Sequence, residues 1–171
     1  MAPSTPLPFD PISVAQDTWV QRWGSDAPAD EMAAATSVLR VAQLLTARFD
    51  AAVAPHGLTF ARYEVLVLLT FSRTGALPMS KIGERLMVHP TSATSAVQRL
   101  EAQGFVRRVP NPADGRGTLA EITSAGREVV EAATAALHAL DFGLSALDPD
   151  QVRTLTGVMR QVRLANGDFA P

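Results

Sequence analysis

Six polar side chains crowd one short stretch, PTSATSAVQR at residues 90–99: Thr91, Ser92, Thr94, Ser95, Gln98 and Arg99. Wound as a helix at about 100° per residue, the stretch sends Ala93, Ala96, Val97 and Leu100 to one side, the expected core face. Thr91, Ser95 and Gln98 then point the opposite way, with Ser92, Thr94 and Arg99 on the flanks. Small hydroxyls and an amide on such a face can approach base edges and phosphate oxygens in a major groove. Taken alone, this helix reads more readily as a solvated face. Its neighbours decide the matter.

The second such stretch is RRVPNPADGRGTLAEIT, residues 107–123. Arg107 and Arg108 begin a strand-like run, which Asn111, Pro112, Asp114, Gly115 and Gly117 interrupt, and Thr118–Ile122 alternates again. That pattern predicts a β-hairpin with Asp114 and Arg116 at its tip. An arginine on a finger beside a groove-reading helix suits the concentrated negative potential of a minor groove. Asp114 is suited to hold Arg116, or to brace a neighbouring arginine, by a charge-assisted bond, and Arg107 and Arg108, at the base, to meet phosphate. A third grouping, Trp19, Arg22 and Trp23, puts a cation beside two indoles at helical spacing. It is read either as a packing clamp or as a seat for a flat anion.

Other chemistry is poorly provided for. The chain has no cysteine, which excludes disulfides, thiolate metal sites, cysteine nucleophiles and thiol redox sensing. His56, His89 and His138 are too far apart for a metal site. There is no glycine-rich phosphate loop and no close carboxylate pair. No enzyme activity, metal or cofactor is expected. The net charge of −2 conceals segregation: residues 80–127 carry seven basic and four acidic side chains, a local +3, which leaves −5 elsewhere.

The elements needed to position these residues are legible in outline. Residues 1–9 read as a disordered leader without the features of a signal peptide, and no apolar run approaches the roughly 18 residues of a membrane span. A cytoplasmic, membrane-free protein is expected. Residues 10–24 form a short helix, and about 30–53 a long amphipathic one that ends at Pro55-His56-Gly57. Thr59 is expected to cap a very apolar helix from Phe60 to Phe71, and Ala76–Met79 to supply a short edge strand. Ser80 is expected to cap a helix to about Met87, and His89-Pro90 to open the next, which Gly104 closes. After the hairpin come two helices, Ser124 to about Phe142 and Pro149 to about Leu164, the second with an Asp148/Gln151 capping box.

Two short helices with a tight turn, followed by a hairpin, make a winged helix-turn-helix. Residues 58–127 resemble the MarR family of bacterial transcription regulators (multiple antibiotic resistance regulators). The resemblance is carried by GLTFARYEVLVLL, MSKIGERLMVHPTSATSAVQRLEAQGFVRR and NPADGRGTLAEITSAG, with Asp114-Gly115-Arg116, then Ile122-Thr123 and Gly126 in the family's places. Glycines flank Arg116 on both sides, where the family often has a second basic residue. The first helix is extra to the minimal family plan and is similar to the extension of a urate-responsive subgroup.

The resemblance implies a mainly α homodimer with a two-stranded wing and a helical dimerisation layer built from the N- and C-terminal helices. The expected organisation is N-terminal helices at 10–57, a DNA-binding lobe at 58–123 and C-terminal dimerisation helices at 124–171. The apolar stripes Val129, Val130, Ala133, Leu137, Leu140 and Val152, Leu155, Val158, Met159, Val162 support that layer. The expected partner is a pseudo-palindromic duplex with half-sites about one turn apart. The expected mechanism is repression by promoter occlusion, relieved by a small aromatic or anionic effector. Trp19, Arg22, Trp23, Arg48, Arg62 and Tyr63 are the candidate lining residues. The alternatives are a regulator that activates, and a winged-helix module acting through protein contacts.

Overall fold

The computed structural model describes residues 6–112, 114 and 117–170, so the first five residues of the expected leader lie outside it. The chain divides into two compact units, residues 1–47 and 48–171. In the first, helix α1 (Pro11–Trp23) starts where the Asp10 carboxylate accepts the Ile12 N–H at 2.9 Å. Pro11 occupies the first helical position, where a missing N–H costs nothing. Helix α2 (Ala29–Val53) follows and continues into the second unit.

The second unit contains α3 (Phe60–Phe71), β1 (Ala76–Pro78), α4 (Met79–Leu86), α5 (Pro90–Ala102), β2 (Val106–Pro110), β3 (Thr118–Ile122), α6 (Ser124–His138) and α7 (Pro149–Ala165). The strands form one antiparallel sheet in the order β1-β3-β2, with Leu77 opposite Ala120 and Arg108 opposite Ala120 on the other side. The fold is that of a winged helix, whose wing hairpin gains a third short strand. Its core joins Leu66 and Leu69 of α3, Ile82 of α4, Val97 and Leu100 of α5, Val106 and Ile122 of the sheet, and Leu137 of α6.

Thr123 and Gly126 tie the wing to this core. The Thr123 hydroxyl accepts the Gly126 N–H at 3.0 Å, capping α6, and donates to the Gly104 carbonyl at 2.8 Å. A side chain at 126 would collide with the Phe105 carbonyl, so only glycine permits this approach. These two motif positions serve the architecture.

Several expected boundaries move. Thr59 precedes α3 without a side-chain capping bond; Asp50 of α2 instead accepts the Phe60 N–H at 2.7 Å. The charge of that carboxylate suits the positive helix end better than a neutral hydroxyl. Ser80 is not a cap, because α4 already begins at Met79 straight from the strand. Helix α6 stops at His138 and not Phe142: Asp141 and Phe142 take φ of +47° and +48°, which a right-handed helix cannot include. The Phe142 ring packs edge-on against Phe49, with centroids 5.9 Å apart.

The two C-terminal stripes also differ. Val130, Ala133 and Leu137 of α6 are fully buried within the lobe. Helix α7, capped as expected by Asp148 and Gln151, buries no residue, and Leu155, Val158 and Val162 stay exposed. Among the described residues no helix is long and apolar enough to cross a membrane.

Candidate nucleic-acid interface

The turn between α4 and α5 presents the polar stretch. Met87 takes φ +50°, and the Val88 N–H donates to the Gly83 carbonyl at 3.1 Å, which reverses the chain within three residues. His89 then caps α5, its Nδ1 accepting the Thr91 N–H at 3.2 Å. Ala93, Val97 and Leu100 turn inward and are buried, while Thr91, Ser92, Ser95, Gln98 and Arg99 are exposed. Thr94 is half-buried, and so is Ala96, which the sequence places wholly on the core side. Ala96 instead reaches the floor of a shallow cleft between α5 and the first turn of α3. Thr59, Arg62, Thr91, Ser92, Ser95 and Arg99 also line that cleft.

Arg62 is fixed at this cleft. A candidate for lining a ligand pocket, it is held on the α5 side, its Nε donating to Thr59 Oγ1 at 3.3 Å and its Nη1 to Gln103 Oε1 at 2.8 Å. Gln103 in turn donates to the Gly57 carbonyl at 2.9 Å. Tyr63 is the next of the candidate lining residues. It is a core residue, buried, stacked on Phe60 at 5.7 Å, with its hydroxyl 3.0 Å from Thr134 Oγ1. Arg48 is exposed. In the first unit, Trp19 and Trp23 meet at 4.3 Å between ring centroids, with Trp23 and Arg22 exposed.

At the base of the wing, Arg107 and Arg108 have acidic partners. Arg107 Nε lies 2.7 Å from Glu121 Oε2, across the β2–β3 ladder, and Arg108 Nε lies 3.4 Å from Glu101 Oε2. The hydrogen bond from Arg107 holds the Glu121 carboxyl below the usual glutamate range and raises the arginine in return. Both cations therefore already face a neutralising carboxylate. Arg116 and Gly115 lie outside the described residues. At the tip, the Gly117 N–H donates to the Asp114 carbonyl at 2.8 Å, and the Asn111 N–H to the Gly117 carbonyl at 2.9 Å. Sequence reasoning missed Thr59 and Gln103, which carry no helical-face signal and act only through contact with another element. His89 was read as opening α5, but its side-chain cap was not foreseen. Among the described residues, no cluster of three or more His, Cys, Asp or Glu could hold a metal.

Helix-turn-helix and wing, with a polar helix face turned outward, define a winged-helix protein. Comparison with known proteins agrees. The family model described as MarR family matches residues 56–117. A crystal structure of a MarR family transcriptional regulator from Streptomyces coelicolor is 58% identical, covering 83% of this chain and 99% of that one, with a TM-score of 0.77. A second regulator from that organism, solved in complex with DNA, is 29% identical over 82% of this chain and 92% of its own, with a TM-score of 0.73. An uncharacterised HTH-type transcriptional regulator from Mycobacterium leprae is 34% identical over 97 residues, 57% of this chain. The chain spans 64% of that relative's length and about half, 49%, of two other mycobacterial relatives. This chain belongs to the MarR family of transcriptional regulators.

Proposed function

We propose that the protein is a homodimeric repressor that binds a pseudo-palindromic duplex and is released by a small aromatic anion. The observation that carries the DNA reading is the exposed face of α5, whose hydroxyls and amide stand outward on a helix anchored by Val97 and Leu100. Support comes from the similar regulator solved with DNA, and from a Mycobacterium tuberculosis relative, 28% identical, that is named a transcriptional repressor. Homodimer formation is supported by exposed apolar side chains on α2, such as Leu39 and Leu44, and on α7, such as Val158 and Val162. A second copy would remove them from water. The effector reading rests on Arg22 beside the Trp19–Trp23 pair in the first unit, a cation and indoles suited to a flat anion.

The test is footprinting on the DNA upstream of the protein's own gene, with the dimer mass measured by light scattering. Protection of two half-sites about 10–10.5 bp apart centre to centre is expected. Loss of that protection with urate or salicylate, and its persistence in Arg22→Ala, is the expected effector signature. No salt-dependent binding to any duplex would instead favour a protein-binding module. Protection that raises transcription would make it an activator.

A further inference from the structure

The cleft between α3 and α5 has a volume of about 390 Å³, and no carboxylate lines it. Its polar lining consists of two guanidiniums, Arg62 and Arg99, and the hydroxyls of Thr59, Thr91, Ser92 and Ser95. Such a set offers donors only where a ligand supplies acceptors, which is the complement of a phosphate oxygen. Arg62 is already oriented. Two of the five donors of its guanidinium are engaged, by Thr59 and Gln103, which leaves three for a ligand. Both engaged partners are neutral, so the positive charge is fixed in place without being cancelled. Among the described residues neither Arg62 nor Arg99 takes part in an ion pair, whereas Arg107 and Arg108 do.

The location restricts what the ligand can be. Thr91 and Ser95 belong both to the outward face of α5 and to the wall of the cleft. A duplex seated on that face would therefore lie beside the cleft. We propose that Arg62 and Arg99, with Thr59 and the α5 hydroxyls, form a phosphodiester-binding cleft that grips the DNA backbone beside the recognition helix. Gln103 is the positioning residue that keeps Arg62 there. This inference rests on the DNA reading above and adds a backbone contact from α3, outside the helix-turn-helix and wing.

The test compares full-length wild type, Arg62→Ala, Arg62→Lys and Gln103→Ala by anisotropy. The probe is a fluorescein-labelled, random-sequence duplex about three helical turns long, titrated across a range of salt. Each phosphate contact contributes about one unit to the slope of log affinity against log salt. Arg62→Ala is expected to lower the slope by about one per cleft with an unchanged circular-dichroism melt. Arg62→Lys should keep the slope but weaken binding, since lysine restores the charge without the fork. Gln103→Ala should weaken binding while largely keeping the slope, because it frees the arginine without removing it. Wild-type binding with an unaltered slope in Arg62→Ala would overturn the cleft and leave the DNA reading intact. Wild type that binds no duplex would overturn both. If Arg62→Ala keeps the slope but loses inhibition by inorganic phosphate beyond matched chloride, the cleft is a small-anion site and the backbone proposal fails.

Discussion

Arg62 and the wing-base arginines, Arg107 and Arg108, are held in opposite ways. On the α3 side, Arg62 is bound by a hydroxyl and an amide, with Arg99 across the cleft. On the wing side, Arg107 and Arg108 face Glu121 and Glu101. A guanidinium bound by neutral acceptors is oriented and keeps its full charge. One bound by a carboxylate is oriented and largely neutral toward a distant phosphate. Exposed ion pairs of the second kind add little to stability, because water screens them. The number of basic residues in a segment therefore overstates the charge that DNA can use.

The largest expected effect lies on the α5 face. Gln98→Ala should cost about 1–3 kcal/mol on the cognate site and much less on random duplex. Equal losses on both probes would show that Gln98 serves the backbone, and the facing of α5 would need revision. At the wing tip, Arg116→Ala should weaken binding to all sequences and lower the salt slope by about one unit without dissociating the dimer. Wild-type affinity and slope in that variant would remove the wing from the interface.

The masking itself is tested by a gain. Glu121→Gln and Glu101→Gln should each tighten binding to random duplex several-fold and steepen the salt slope by up to about one unit. If neither does, the pairs open freely when DNA arrives and the contrast drawn above is wrong. The pH dependence has a definite sign. Because Arg107 lowers the Glu121 carboxyl in the folded protein, the pair is intact above the ordinary glutamate range and is lost only as pH falls through the lowered value. Between about pH 7 and pH 5 the wild-type slope should therefore not steepen through Arg107. The smallest effect belongs to neither group. Burial raises the Glu64 carboxyl, so its relative contribution to stability is full below the unfolded value and is lost as pH rises through the folded one. Glu64→Gln should melt slightly higher than wild type at neutral pH, and the difference should vanish in acid. A lower neutral-pH melting point would point to a partner for that carboxylate.

By itself the sequence determined what is local. His89-Pro90 opening α5, Asp148 and Gln151 capping α7, Gly104 after α5 and the inward set Ala93, Val97 and Leu100 were all legible, because each depends on residues within a turn or two of one another. The break in α6 was not, since two non-glycine residues at positive φ carry no warning in their types. The tertiary structure decided everything that joins distant residues. It tied Arg62 to Gln103 at the end of α5, 41 residues further on. It buried Tyr63 against Thr134, 71 residues away, and set Glu121 across the ladder from Arg107. Side-chain type and periodicity say which way a residue points from its own helix or strand. What it meets there depends on how that element packs against the others, and that is a property of the folded chain alone.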